Sequence, residues 1–158
     1  MTRTNVTRLL ETAGVAHTSL AYEVDEDDLS GGHTAKALGL PPEMVYKTLA
    51  LRGDRTGVFI CCIPCLETID LRKAAAASGN KKAEMLPLKE LLPTTGYPRG
   101  GCSPIGMKRK FPLFIDETCI LSETIAINAG SRGVMVLVAP DALIGYTGAK
   151  AADLAKEQ

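Results

Sequence analysis

The amino-acid sequence predicts a single α+β domain of largely antiparallel strands with helices covering one side. Three observations predict it. Short β-rich runs are separated by tight turns; two of them, "VYKTLALR" and "TGVFICCIP", flank "GDRTG", a hairpin signal; and helical segments stand at both ends and in the middle of the chain. At 158 residues the chain is long enough to bury a core of its own. No repeat, low-complexity tract or linker divides it, so residues 1–158 read as one domain.

Each element has its own signal. "TNVTRLLETAG" carries apolar residues at Val6, Leu9, Leu10 and Ala13 with Gly14 behind them, which is helix spacing with a glycine stop. "VAHTSLAYEV" alternates loosely and reads as a strand, and the acidic "DEDDL" as a solvated turn. "GGHTAKALGL" and "PPEMVY" read as two short helices, opened by glycines and prolines respectively. After the hairpin, "IDLRKAAAASG" is an alanine-rich helix closed by Gly79, and "LPLKELLP" a short helix bounded by prolines. "PLFID", "TIAIN" and "GVMVLVA" are three more strands. "PDALIGYTGAKAADLAKE" reads as a helix, a turn over Gly145–Gly148, and a C-terminal helix.

The totals exclude several classes. Lys plus Arg equals Asp plus Glu at 18 each, so nucleic-acid binding would need a local basic patch. No secretory signal and no apolar run of membrane-spanning length is present; with five cysteines this points to a reducing, cytoplasmic setting. Trp is absent and aromatics are scarce, so the core must come from Leu, Ile, Val and Ala.

Cys62 and Cys65 have C-x-x-C spacing, but no second pair stands at zinc-ribbon distance and the motif ends an apolar strand. Buried packing is the expected role of Cys61, Cys62 and Cys65, with no metal and no cofactor. The two histidines, His17 and His33, sit in no recognisable nucleophile constellation, so proton transfers in an enzyme here would fall to lysine, backbone dipoles, water or the substrate. Lys47, at the start of a β-rich run, either snorkels over apolar surface or points into a cleft where it could hold a phosphate or carbonyl oxygen.

"GGCSPIGMKRK" is the most unusual stretch. Gly100 and Gly101 permit close backbone approach to a ligand, and Pro104 stiffens the loop and biases Ser103 to extended backbone. Successive exposed amides there can form an anion cradle or oxyanion hole, and Lys108, Arg109 and Lys110 add a positive field suited to phosphates. The run is neither a P-loop nor a G-x-S-x-G elbow. A glycine–proline turn followed by a solvated basic run is the alternative.

In order along the chain, "AYEVD", "LGLPPEMVYKTL", "IDLRKAAAASGNKKAEM", "GYPRGGCSPIGMKRKFPLFID" and "NAGSRGVMVLVAPDAL" resemble the YbaK/EbsC family. Its members are free-standing relatives of the editing domain in prolyl-tRNA synthetases. The resemblance spans roughly residues 5–155 and implies a mixed, barrel-like sheet surrounded by helices. It implies trans-editing deacylation of a mischarged aminoacyl-tRNA, with Cys-tRNA(Pro) as substrate and the substrate's own thiol attacking the ester. Ala-tRNA(Pro), or a non-catalytic tRNA- or synthetase-binding module, is the alternative.

The resemblance also implies catalytic positions at Lys47 and Gly100, to which the loop reading adds Gly101. Tyr22 and Thr48 match the family pocket, and Ser103, Pro104, Gly106, Asn128 and Arg132 complete the expected substrate-binding set. Lys108, Arg109 and Lys110 are expected on tRNA phosphates. Aminoacylated tRNA(Pro) is the expected partner, with prolyl-tRNA synthetase as a second and the chain acting as a monomer or homodimer, away from membranes. Ser30 stands where relatives carry an aromatic residue, Asn128 where they often carry Ser, and Met135 where they carry Asp.

Overall fold

Eight strands and five helices alternate in the computed structural model, which describes residues 3–157. Helix α1 (Asn5–Thr12) starts at a reciprocal capping box: Thr4 Oγ1 accepts from the Thr7 amide, and Thr7 Oγ1 from the Thr4 amide. It buries Val6 and Leu10. Strand β1 (His17–Ala21) leads to α2 (Gly31–Leu38), capped by Ser30, whose hydroxyl accepts from the His33 amide. A short 3-10 turn (Pro42–Met44) replaces the second expected helix.

The hairpin forms as expected. Strands β2 (Tyr46–Gly53) and β3 (Gly57–Pro64) pair antiparallel with Lys47 opposite Ile63 and Thr48 opposite Cys62. Asp70 caps α3 (Leu71–Ser78) by accepting from the Arg72 and Lys73 amides. Strand β4 (Ala83–Met85), not expected from the sequence, is a three-residue edge on β2. Helix α4 (Leu88–Thr95) continues through Pro93. The carbonyl that Pro93 leaves without a helical donor is that of Lys89, an exposed residue open to water, and side chains take later carbonyls: Thr95 Oγ1 donates to Leu91 O at 2.8 Å and Lys108 Nζ to Pro93 O at 3.2 Å.

Strands β5 (Leu113–Asp116), β6 (Ile125–Ser131) and β7 (Val134–Val138) follow, then α5 (Pro140–Thr147), which runs through Gly145 and ends at left-handed Gly148. The expected C-terminal helix is instead β8 (Lys150–Ala152), parallel to β5. Tertiary partners override alanine's helix propensity. Buried Asp116 accepts from the Leu154 amide at 3.0 Å, and the Lys156 amide donates to Thr68 O at 2.8 Å. The tail's amides therefore serve its neighbours and not a helix.

The strands form two sheets in the orders β1-β7-β6 and β4-β2-β3-β5-β8. Pairing is antiparallel except for β3–β5 and β5–β8, so the sheet is mixed and largely antiparallel. One core unites them: Tyr46, Cys62 and Ile115 from the larger sheet meet Ile125, Ile127, Val134 and Val136 from the smaller. The sheets join at a parallel bridge between Val45 and Ala126. No helix among the described residues is long and apolar enough to cross a membrane.

A candidate active site where the two sheets meet

The Val45–Ala126 bridge decides what lies beside what. Side chains alternate along a strand, so two residues further on Lys47 and Asn128 project from neighbouring strands to the same side as Val45 and Ala126. That side is apolar: Val45, Cys65, Ala126 and Met135 are buried together with Ala35 of α2, and Tyr22, Leu38 and Leu40 pack against them. Lys47 is half-buried, and loss of water pulls its ammonium below the usual lysine range, while Cys65 and Glu67 oppose that shift.

Asn128, 9% exposed, ties this side to the glycine loop. Its Nδ2 donates to Gly100 O at 2.9 Å, and its Oδ1 accepts from the Gly130 amide at 2.7 Å. Gly100 has φ +82°, and the Gly101 amide donates back to Pro98 O at 3.0 Å, which closes a type II turn with glycine at its third position. Arg132 straps the turn from outside. Its Nε donates to Arg99 O at 2.9 Å, it pairs with Glu26, and a Cβ on Gly100 would stand 3.3 Å from Nε.

The same geometry distributes the other expected positions. Gly101 cannot offer its amide to an oxyanion, because the turn uses it; the Gly100 amide makes no hydrogen bond among the described residues. Thr48 faces the opposite side of β2 from Lys47, its hydroxyl 3.6 Å from Cys62 Sγ in the shared core. Ser103 is fully buried and its hydroxyl accepts from the Ile105 amide, so it shapes the loop from within. Pro104 and Gly106 line a different cavity, considered below. Lys108 is spent on the end of α4, and Arg109 stacks over Phe111 at 4.9 Å.

The cysteines divide among three clusters: Cys61, Cys62 and Cys65 are each buried in a different one. Burial raises all three thiols, Cys62 to about 12. His17 Nδ1 pairs with Val15 O, while His33 Nε2 is buried without a partner. No histidine ring bonds a serine or cysteine among the described residues, so no histidine-activated nucleophile is assembled. Sequence reasoning missed Gly31. A Cβ there would lie 2.3 Å from Cys65 Cβ, so glycine lets α2 seat directly on the pocket wall.

The family model described as the aminoacyl-tRNA editing domain matches residues 32–146. The chain belongs to that family. This editing domain is 40% identical over 99% of its length, and 95% of the relative's, to EbsC of Enterococcus faecalis, described as a candidate Cys-tRNA(Pro)/Cys-tRNA(Cys) deacylase. It is 27% identical to the uncharacterised protein YwhH of Bacillus subtilis over 73% of each chain.

Among solved structures, a candidate trans-editing enzyme for prolyl-tRNA synthetase superposes with TM-score 0.82 at 23% identity, covering 99% of this chain and 100% of that one. A hypothetical protein superposes with TM-score 0.87 at 21% identity, covering 96% and 99%. These two likenesses establish the fold. Family membership makes the chain an aminoacyl-tRNA deacylase whose substrate is an aminoacylated tRNA.

Proposed function

We propose that this editing domain deacylates mischarged Cys-tRNA(Pro) at the side shared by Lys47, Asn128 and Gly100. What supports the reading is a half-desolvated ammonium on the strand beside the one whose Asn128 anchors the Gly100 turn, with an apolar cluster on the same side. The identity with EbsC supports cysteine as the amino acid. Val45, Cys65 and Met135 give a thiol-bearing side chain an apolar wall to lie against.

The chemistry asks little of the protein beyond position and charge. The substrate thiol loses its proton as sulfur bonds to the ester carbonyl carbon. The carbonyl oxygen gathers charge opposite the Gly100 amide, and the carbon–oxygen bond to ribose breaks. The ribose oxygen takes up a proton, leaving deacylated tRNA and a cyclic thiolactone that water opens. Lys47 steadies the terminal phosphate or the ester oxygen throughout. No histidine is needed, in keeping with the placement of His17 and His33.

Purified protein is given Cys-tRNA(Pro), Ala-tRNA(Pro) and Pro-tRNA(Pro). The cysteinyl ester should be lost fastest and the prolyl ester at the buffer rate. Faster loss of the alanyl ester would transfer the assignment to that substrate. Acceleration of none of the three would overturn the proposal.

A further inference from the structure

The loop that begins at Gly100 has a second end with different chemistry. From Pro104 to Leu113 it encloses, with the last turn of α5, a cavity of about 330 Å³, at the lower end of the range for small-ligand sites. Its floor is apolar: Ile60, Ile105 and Phe111 are 1%, 3% and 8% exposed. Arg109, Lys110 and the ring of Tyr146, which is 37% exposed, line the same space.

Charge separates this cavity from others on the surface. Glu43 and Glu67 line one of them, Glu123 and Asp141 another; no carboxylate lines this one. Lys108 is withdrawn to Pro93 O, which leaves Arg109 and Lys110 as the cavity's cations. Stacking on Phe111 holds the Arg109 guanidinium in place, so its donors are pre-set for a phosphate. A chain with no net charge has concentrated two cations beside an exposed aromatic ring and an apolar floor. An anion alone would not use the floor, and an apolar ligand would not use the cations. A nucleotide uses both.

We propose that this cavity binds one unpaired nucleotide of the tRNA substrate, its phosphate on Arg109 and Lys110 and its base against Tyr146. The site is anchored to the catalytic turn through one loop, braced by the Tyr97 hydroxyl on Ile105 O and the Lys108 amide on Thr95 O. This rests on aminoacylated tRNA being the substrate, and not on the amino acid it carries.

Fluorescence anisotropy with deacylated tRNA, a short single-stranded RNA and a blunt RNA duplex tests it, since no ester is involved. Tyr146→Ala should weaken single-strand binding roughly 5- to 150-fold, and Tyr146→Phe should restore it. Arg109→Ala and Lys110→Ala should each flatten the slope of log affinity against log salt by about 0.7, with Lys108→Ala changing it less. Equal slopes for all three basic variants, or duplex bound as tightly as single strand, would overturn the site. So would unchanged binding in a folded Tyr146→Ala protein. Because tRNA binding is read without turnover, failure of the deacylation panel and failure of this site remain distinguishable.

Discussion

Replacing the Asn128 amide with a carboxyl reverses one hydrogen bond and leaves the shape alone. In the native protein Nδ2 donates to Gly100 O at 2.9 Å while Oδ1 accepts from the Gly130 amide at 2.7 Å. Asn128→Asp keeps the acceptor but sets a second oxygen against Gly100 O. The lost bond and the unsatisfied carbonyl cost on the order of 1–3 kcal/mol, and the buried negative charge adds to this. The new carboxyl would titrate above the ordinary carboxylate range, because burial and the facing carbonyl both favour its protonated form.

The sign follows from that shift. A raised folded-state pKa gives stability that is full below the unfolded value, about 4, and lost as pH rises through the folded value. The protonated acid can donate to Gly100 O and restore the clamp. Turnover should suffer more than stability, since a displacement of about 1 Å in the Gly100 amide costs roughly a hundredfold. Urea unfolding and single-turnover deacylation are compared with wild type at pH 5.5 and 7.5. Both deficits should shrink at the lower pH. Full activity at pH 7.5 in a destabilised protein would refute the role of the Gly100 turn, and equal deficits at both pH values would refute the hydrogen-bond account.

Two further outcomes are expected. Gly31→Ala places a Cβ 2.3 Å from Cys65 Cβ, so α2 must lift from the pocket wall; urea midpoints should report a loss of about 1–3 kcal/mol, with deacylation falling as well. Burial pushes the thiols of Cys62 and Cys102 up to about 12 and about 11 from 9.0. Their stabilising contribution is therefore complete below pH 9 and lost as pH rises towards those values. Unfolding at pH 10 should show a loss on the order of 1 kcal/mol for each, and an unchanged midpoint would contradict their burial.

Local signals carried most of the fold. The hairpin turn and the closing glycines Gly14 and Gly79 are short-range features, and the elements they predict are present. The tail failed because "AKAADLAKE" has helix propensity while its fate is set by partners far along the chain, Asp116 and Thr68. β4 failed because three residues with a charge at the centre carry no strand pattern. At the candidate site, residue types singled out Lys47 and the glycine loop but left their roles open; the assignment of Lys47 and Gly100 came from the family resemblance. Strand alternation alone would have turned Thr48 to the other side from Lys47. That the Gly101 amide belongs to a turn, that Ser103 is buried, and that Gly31 underlies Cys65 required coordinates, since each depends on a contact the local sequence does not encode.

Lys47→Met removes the ammonium while keeping an unbranched, apolar-compatible side chain, and single-turnover loss of Cys-tRNA(Pro) reads the consequence. The rate should fall roughly 10²- to 10³-fold. The urea midpoint should hold or rise, because a half-desolvated charge has been removed. Wild-type rates in the folded variant would contradict the claim that Lys47 and the Gly100 turn act on one ester.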